Sequence, residues 1–437
     1  MRFHSTRDRT VSATLGETLT AGVAADGGLY VPERLPRVSP DDFPPGDGLD
    51  RMASTLLRPF TGGDPLDAHL EAVCGRAFNF PAPLVRLSGA PGPASVLELF
   101  HGPTCAFKDF GARFLAAGLE CTHGRNGKLT ILVATSGDTG GAVAAAFHRA
   151  PWADVVLLYP KGRVSPRQAH QLACWDENVR TFAVLGTFDD CQRMVKEAFR
   201  DPGLARVCRL SSANSINLGR LLPQMAYYAD ASLRIWRGEG RKPNFIVPTG
   251  NLGNATACAL AREIGLPIGD IVLATNENRT IVDYFERGVW EPRDAIATLS
   301  SAMDVGNPSN FERLRWLFPD AQRLRSRLTA QAVSDRQVRE TIRSDEARLH
   351  RVWCPHSATA ACVYWRLPEK RRDEHWVLVA TAHPAKFSEV IEPLIGRTVP
   401  VPPALAALLQ LPRREQDLPP RLDALREELR GSSAGSR

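Results

Sequence analysis

From Ser95 onward, short apolar runs alternate with amphipathic stretches of helical length. The runs are VLELF at 96–100, LTILVAT at 129–135, DVVLLYP at 154–160 and VRTFAV at 179–184, with a weaker one at 207–211. NFIVPT at 244–249, DIVLAT at 270–275 and WVLVAT at 376–381 continue the series. Between them, 107–121, 139–149, 164–173, 188–200, 218–232, 254–264 and 278–286 carry helical patterning. Thr187 and Asp190 are spaced as a capping box at one helix start. Strands alternating with helices predict βαβ units and parallel sheet. Two such stretches, divided near residue 235, predict a two-lobed α/β core with a cleft between the lobes. The segment 1–85 reads as irregular, with turns at Asp26-Gly27-Gly28 and Pro40–Pro45 and a helical piece near Leu66–Cys74. It reads as a small separate domain ending at Pro81-Ala82-Pro83. Residues 86–390 then form the core. Residues 391–437 add a charged helical extension and a flexible-looking tail, GSSAGSR.

Composition narrows the function classes. The net charge of +6 is mildly basic, but Lys and Arg are interleaved with acidic residues rather than gathered in a stripe. Nucleic acid is therefore not an expected partner. The nine cysteines include no CxxC pair, and the ten histidines show no ligand spacing such as HExxH. No metal site is expected, and His101, His356 and His383 read as parts of turns. The amino terminus has no apolar signal core, and no run approaches the ~20 residues that span a bilayer. A soluble cytoplasmic protein, monomer or homodimer, acting on a small molecule is the expectation.

Four segments fall where a βα unit places ligands, at a strand's carboxyl end and the next helix start. In the first, 97–110, Lys108 stands in the first turn of a helix. A cation there opposes the helix dipole, and a lysine amine can condense with a carbonyl. A solvated surface lysine would fit the segment as well. The second, Ala134 to Gly141, offers hydroxyls and free N–H groups that fit an anion cradle or a plain βα turn. The third, Pro248 to Ala255, combines glycines, which allow close backbone approach, with a helix start that favours phosphate. The fourth, Ala380 to Phe387, puts the Thr381 hydroxyl at a strand end.

In order along the chain, ADGGLYVPE (25–33), HGPTCAFKDFGARF (101–114), ATSGDTGGAV (134–143) and LYPKGRVSP (158–166) resemble the threonine synthases, a branch of the fold-type II pyridoxal-phosphate (PLP) enzymes. So do STR at 5–7, SANSINLGRLLPQ (212–224), VPTGNLGNA (247–255), SAMDVGNPSNFERL (301–314) and TAHPAKF (381–387). The resemblance covers residues 2 to about 390. It implies a tryptophan synthase β-like core with parallel sheets, plus a small amino-terminal domain. It implies PLP as cofactor, with Lys108 as the Schiff-base lysine and sole general base. Phe107, Asp138, the Gly250-Asn251-Leu252-Gly253-Asn254 loop and Thr381 would contact the cofactor, Thr381 at the ring nitrogen. Ser136, Thr139, Lys161, Asn214, Ser215 and Arg220 would contact the substrate, the last three and Lys161 at its phosphate.

The reaction implied is O-phospho-L-homoserine plus water giving L-threonine plus phosphate, the last step of threonine biosynthesis. The same scaffold would also suit a phospho-lyase releasing 2-oxobutyrate, or a non-catalytic metabolite-binding relative. Three positions depart from the family pattern: Arg279 where an acidic residue is expected after NEN, Cys105 for leucine, and Asp8 for glycine.

Overall fold

Every strong apolar run becomes a buried strand. The structure, a computed structural model, describes residues 1–123 and 127–434. Three short strands, β1 (Phe3–Ser5), β2 (Ser12–Ala13) and β3 (Tyr30–Pro32), form an antiparallel amino-terminal sheet in the order β2-β1-β3. β4 (Leu84–Arg86), β5 (Ala94–Glu98), β6 (Leu129–Ala134), β7 (Ala153–Pro160), β8 (Val179–Val184) and β9 (Arg209–Ser211) follow. The second half adds β10 (Asn244–Pro248), β11 (Ile271–Thr275), β12 (Leu328–Ala332), β13 (Trp376–Ala380) and β14 (Glu415–Leu418).

Two larger sheets result. One runs β14-β8-β7-β6-β9 and is parallel throughout. The other runs β12-β11-β10-β13-β5-β4, parallel except for β4 against β5. β5, β10 and β13 are buried along their whole length, which is why they read as continuous apolar runs rather than alternating ones. The division near residue 235 is corrected in one respect: β5, from the first run, pairs with β13 near the end of the chain. The apolar pattern marks a strand as buried but does not name its neighbours. β14 likewise returns to β8 in the other sheet.

The helix starting at Phe188 has the capping box its sequence predicts: Thr187 and Asp190 bond reciprocally through side chain and backbone. The stretch 218–232 is not one helix. Pro223 lies in a 3-10 turn, Leu222–Gln224, between the short helix Leu218–Leu221 and the longer Met225–Glu239. A proline lacks the N–H that a helix interior requires.

The segment 1–85 is more regular than expected. Besides β1 to β3 it holds helices Leu15–Ala21, Leu49–Thr61 and Leu70–Ala77. Leu49–Thr61 escapes a sequence reading because Gly48 gives it no side-chain cap and Pro59 lies inside it. Its buried Met52, Ala53, Leu56, Leu57 and Phe60 nevertheless recur at helical spacing. Each of the larger side chains contributes about 1.5–3 kcal/mol by leaving water. They share one hydrophobic core with Phe110, Phe114 and Leu115 of the helix Lys108–His123. At the other end, Gly431 to Ala434 continue the helix Leu422–Ala434 rather than a loose tail, and residues 435–437 lie outside the described residues. Among the described residues, no helix is long and apolar enough to cross a membrane.

Candidate active site

The pairing of β5 with β13 sets the site. Their register ends at Glu98 opposite Ala380, and the Leu99 N–H still donates to the Ala380 carbonyl at 2.9 Å. The first chain then turns at Gly102-Pro103 and comes back against the second. The Phe107 N–H donates to the Thr381 carbonyl at 2.8 Å, and the His383 N–H to the Cys105 carbonyl at 3.0 Å. Cys105 makes this stitch at φ 56°, a conformation uncommon outside glycine. Its thiol is buried, so this departure from the family pattern faces the core. Asp109 fixes the helix start by accepting from the Thr104 N–H at 2.9 Å and hydroxyl at 2.7 Å. Lys108 and Thr381 are thereby carried on two adjoining chains.

Both line an inner cavity of about 60 Å³, with Phe107, Asp138, Ser215, Arg220, Gln224, His356 and the 248–254 loop. That loop leaves β10, passes Leu252 at φ 60°, and enters the helix Gly253–Glu263. First-turn N–H groups of a helix have no intrahelical acceptor and favour an anion. Asn251 donates to the Ser215 hydroxyl at 2.6 Å and accepts from the Ser309 N–H at 2.5 Å, which anchors the loop.

Three buried polar nitrogens of residues lining this cavity have no hydrogen-bond partner among the described residues: Arg220 Nε, Asn254 Nδ2 and His356 Nδ1. Leaving such a group unpaired costs roughly 1–3 kcal/mol. Asn254 is held in that attitude because both Tyr227 and Tyr228 donate to its Oδ1, at 2.8 and 2.7 Å. With Lys108, Arg220 and the helix start, the cavity presents donors and positive charge to a ligand rich in acceptors. A phosphorylated aldehyde such as PLP fits that donor set, and Lys108 supplies the amine.

The electrostatics bring the Lys108 amine nearer to its neutral form. Burial, and then the neighbouring Arg220, lower Lys108 to about 8, against the opposing pull of Asp138. Lys108 makes no ion pair among the described residues; its Nζ lies 4.5 Å from the Phe107 ring centre. Burial also lowers Arg220 to about 10. For Asp138, burial alone would raise the carboxyl, but the Lys386 charge, with hydrogen bonds from Lys386 and Gln168, outweighs it and holds the group below its ordinary value.

The expected site residues are only partly brought together. Lys108, Phe107, Asp138, residues 250–254, Thr381, Ser215 and Arg220 share the inner cavity. The Asp138 carboxylate is already engaged by Lys386 Nζ at 2.7 Å and Gln168 Nε2 at 2.9 Å. Asn214 opens instead on a wide outer cleft of about 1490 Å³ and donates to the Ala134 carbonyl at 2.8 Å. Ser136 and Thr139 are half-buried on the Thr135–Gly140 turn and line neither space. The turn itself closes on Thr135 Oγ1, which accepts from the Gly137 and Gly140 N–H groups. Lys161 lines neither space; its half-exposed ammonium meets the Asp417 carboxylate of β14 at 2.6 Å. A partner so distant along the chain is not foreseeable from LYPKGRVSP.

Arg279 does not disturb the site either. It pairs with Asp283 at 2.8 Å and Glu286 at 3.0 Å on its own helix. Asp8 accepts from the Thr10 N–H at 2.8 Å, closing a local turn.

Four contributors escape the sequence reading. Tyr227 and Tyr228 look like core aromatics of a helix. Lys386, fully buried, donates to the Thr104 carbonyl at 2.8 Å besides meeting Asp138. His356 is not part of a turn. It follows Pro355 at the start of the helix Pro355–Trp365, is 3% exposed, and lines the inner cavity.

Comparison with known proteins places this arrangement. The family model for pyridoxal-phosphate-dependent enzymes matches residues 77–382, which defines the class. Models for the threonine synthase N terminus and the threonine synthase C-terminal region match 2–78 and 357–428. The chain is 38% identical to threonine synthase of Serratia marcescens, over 99% of this chain and 100% of that protein. The crystal structure of threonine synthase from Escherichia coli superposes with a TM-score of 0.92 at 38% identity, covering 99% of this chain and 100% of that one. The PLP-bound threonine synthase of Brucella melitensis gives 0.89 at 34%, covering 99% of each. The chain is a fold-type II PLP-dependent enzyme, and within that class it belongs to the threonine synthase family.

Proposed function

We propose that this chain converts O-phospho-L-homoserine and water into L-threonine and phosphate, with PLP carried on Lys108. The observation that supports the reading best is the convergence on one cavity of a lysine whose pKa is lowered to about 8 and three donors unpaired among the described residues. PLP, when bound, acts as an electron sink for the carbon next to the substrate amine. Lys108 moves the protons, first from Cα and then from Cβ. The 250–254 loop would hold the cofactor phosphate, and the Thr381 hydroxyl would serve the ring nitrogen. Asn214, Ser215 and Arg220 receive the substrate phosphate, for which arginine's planar fork is suited. Ser136 and Thr139 meet the substrate carboxylate, and Asp138 orients the site through Lys386. Lys161 is left out of this assignment, being engaged by Asp417. We further take residues 1–85 as the family's amino-terminal unit, 86–390 as the catalytic core and 391–437 as an extension.

The defining experiment is product analysis with O-phospho-L-homoserine. Threonine and phosphate in equal amounts support the proposal. 2-Oxobutyrate would instead assign the chain to the phospho-lyases on this scaffold.

Two expected results follow from the charges. Only the neutral amine attacks a carbonyl, so uptake of PLP by the apoprotein should quicken about tenfold per pH unit at low pH and level off above about 8. Stopped-flow absorbance measures this, and a flat profile would contradict the lowered amine. Arg220→Ala should raise KM for the phosphorylated substrate far more than it raises the Kd of PLP. Equal losses would assign Arg220 to the cofactor.

A further inference from the structure

We propose that His356 donates its Nδ1–H to an acceptor on the ring edge of the bound cofactor, a role that rests on the reading of the inner cavity given above. The tautomer follows from one contact. The Ala302 N–H donates to His356 Nε2 at 3.1 Å, so Nε2 carries no proton and a neutral ring must carry it on Nδ1. Burial, with Lys108 and Lys386 nearby, lowers the imidazole to about 4 despite Asp138, so the ring stays neutral at working pH. The result is an N–H donor that is enclosed, fixed in direction and without a partner among the described residues. Asp138, the carboxylate that acts on His356, is already engaged by Lys386 and Gln168.

The ring itself is well held. Pro355 sets the helix start, the Ser300 hydroxyl donates to the Pro355 carbonyl at 3.0 Å, and Phe387 lies 5.0 Å from the imidazole centre. The position favours the ring edge over the phosphate. The next residue, Ser357, accepts from the Thr381 N–H at 3.0 Å, which ties His356 to the chain carrying the ring-facing hydroxyl. The charged groups acting on His356 are Asp138, Lys108 and Lys386, of which Asp138 and Lys108 line the same cavity and Lys386 pairs with Asp138. The phosphate loop has its own donors in the helix start and Asn254.

The test titrates apoprotein of the wild type, His356→Leu and His356→Asn with PLP, followed by visible absorbance, and with inorganic phosphate as competitor. His356→Leu should raise the Kd of PLP about tenfold, the worth of one buried hydrogen bond, and move the absorbance maximum. His356→Asn keeps a donor near the Nδ1 position and should recover most of both. Phosphate should compete equally well in all three. An unchanged Kd and band in His356→Leu would overturn the proposal. So would equal weakening in both variants with an unmoved band, which is what a packing role gives, or a matching loss of phosphate affinity. Should the leucine variant not fold, nitrogen NMR of the wild type decides. Nδ1 should be protonated before PLP is added and its proton signal should move on addition; the opposite tautomer or a still signal would overturn the assignment. A wild type that takes up no PLP would instead bring down the reading of the cavity, and this proposal with it.

Discussion

Lys108→Ala should give a folded protein that lacks the cofactor's lysine-bound absorbance band and has lost at least about a thousandfold in turnover. The size is that of removing a covalent anchor and a general base together, the latter alone supplying about 10²–10⁴-fold. Folding should survive, because Lys108 makes no ion pair among the described residues. Removing a half-buried charge that lacks an ion-pair partner among the described residues relieves desolvation rather than exposing a second charge. The helix it begins is pinned by Asp109 and Thr104, not by the lysine. Absorbance, turnover and a thermal melt on the same sample separate the cases. Near-normal turnover would remove Lys108 from the chemistry, and a lost melt would show instead that its side chain is structural.

The second large effect is steric. A Cβ added at Gly250 would lie 2.6 Å from the Met303 Cα and 2.8 Å from its carbonyl oxygen. Backbone cannot swing aside as a side chain does, so the loop must shift. Overpacking of this kind costs about 1–3 kcal/mol. The cost falls on the loop proposed to hold the cofactor phosphate, so Gly250→Ala should weaken PLP about tenfold or more. Gly238, in a helix with open space beside it, is the control: Gly238→Ala should leave PLP affinity alone and raise stability slightly, as alanine does in a helix. Equal PLP affinity in both variants would mean that the Gly250 turn does not shape the site.

Much of this is legible because buried parallel strands announce themselves. β6, β7, β10, β11 and β13 are apolar runs ending in Gly, Thr, Asn or Pro, and ligand positions follow from those ends. Lys108, Gly250–Asn254 and Thr381 are located in this way, together with the family resemblance. What stays hidden depends on contacts distant in sequence. His356 sits in PHSATAACVYW, an apolar helix with no ligand spacing, and its importance comes from an N–H at Ala302. Tyr227 and Tyr228 pattern like any buried helix aromatics until Asn254 is placed beside them. Lys161 occupies a strand end, the same logic that locates Lys108, but β14 delivers Asp417 to it. The swap of β5 into the second sheet is of the same kind, since its partner β13 lies near the far end of the chain.

The most direct test of the central claim is to load the protein with PLP, reduce it with sodium borohydride and map the fixed cofactor by peptide mass spectrometry. The label is expected on Lys108. Label on Lys386, the buried lysine paired with Asp138, or on no lysine of the site, would contradict the assignment.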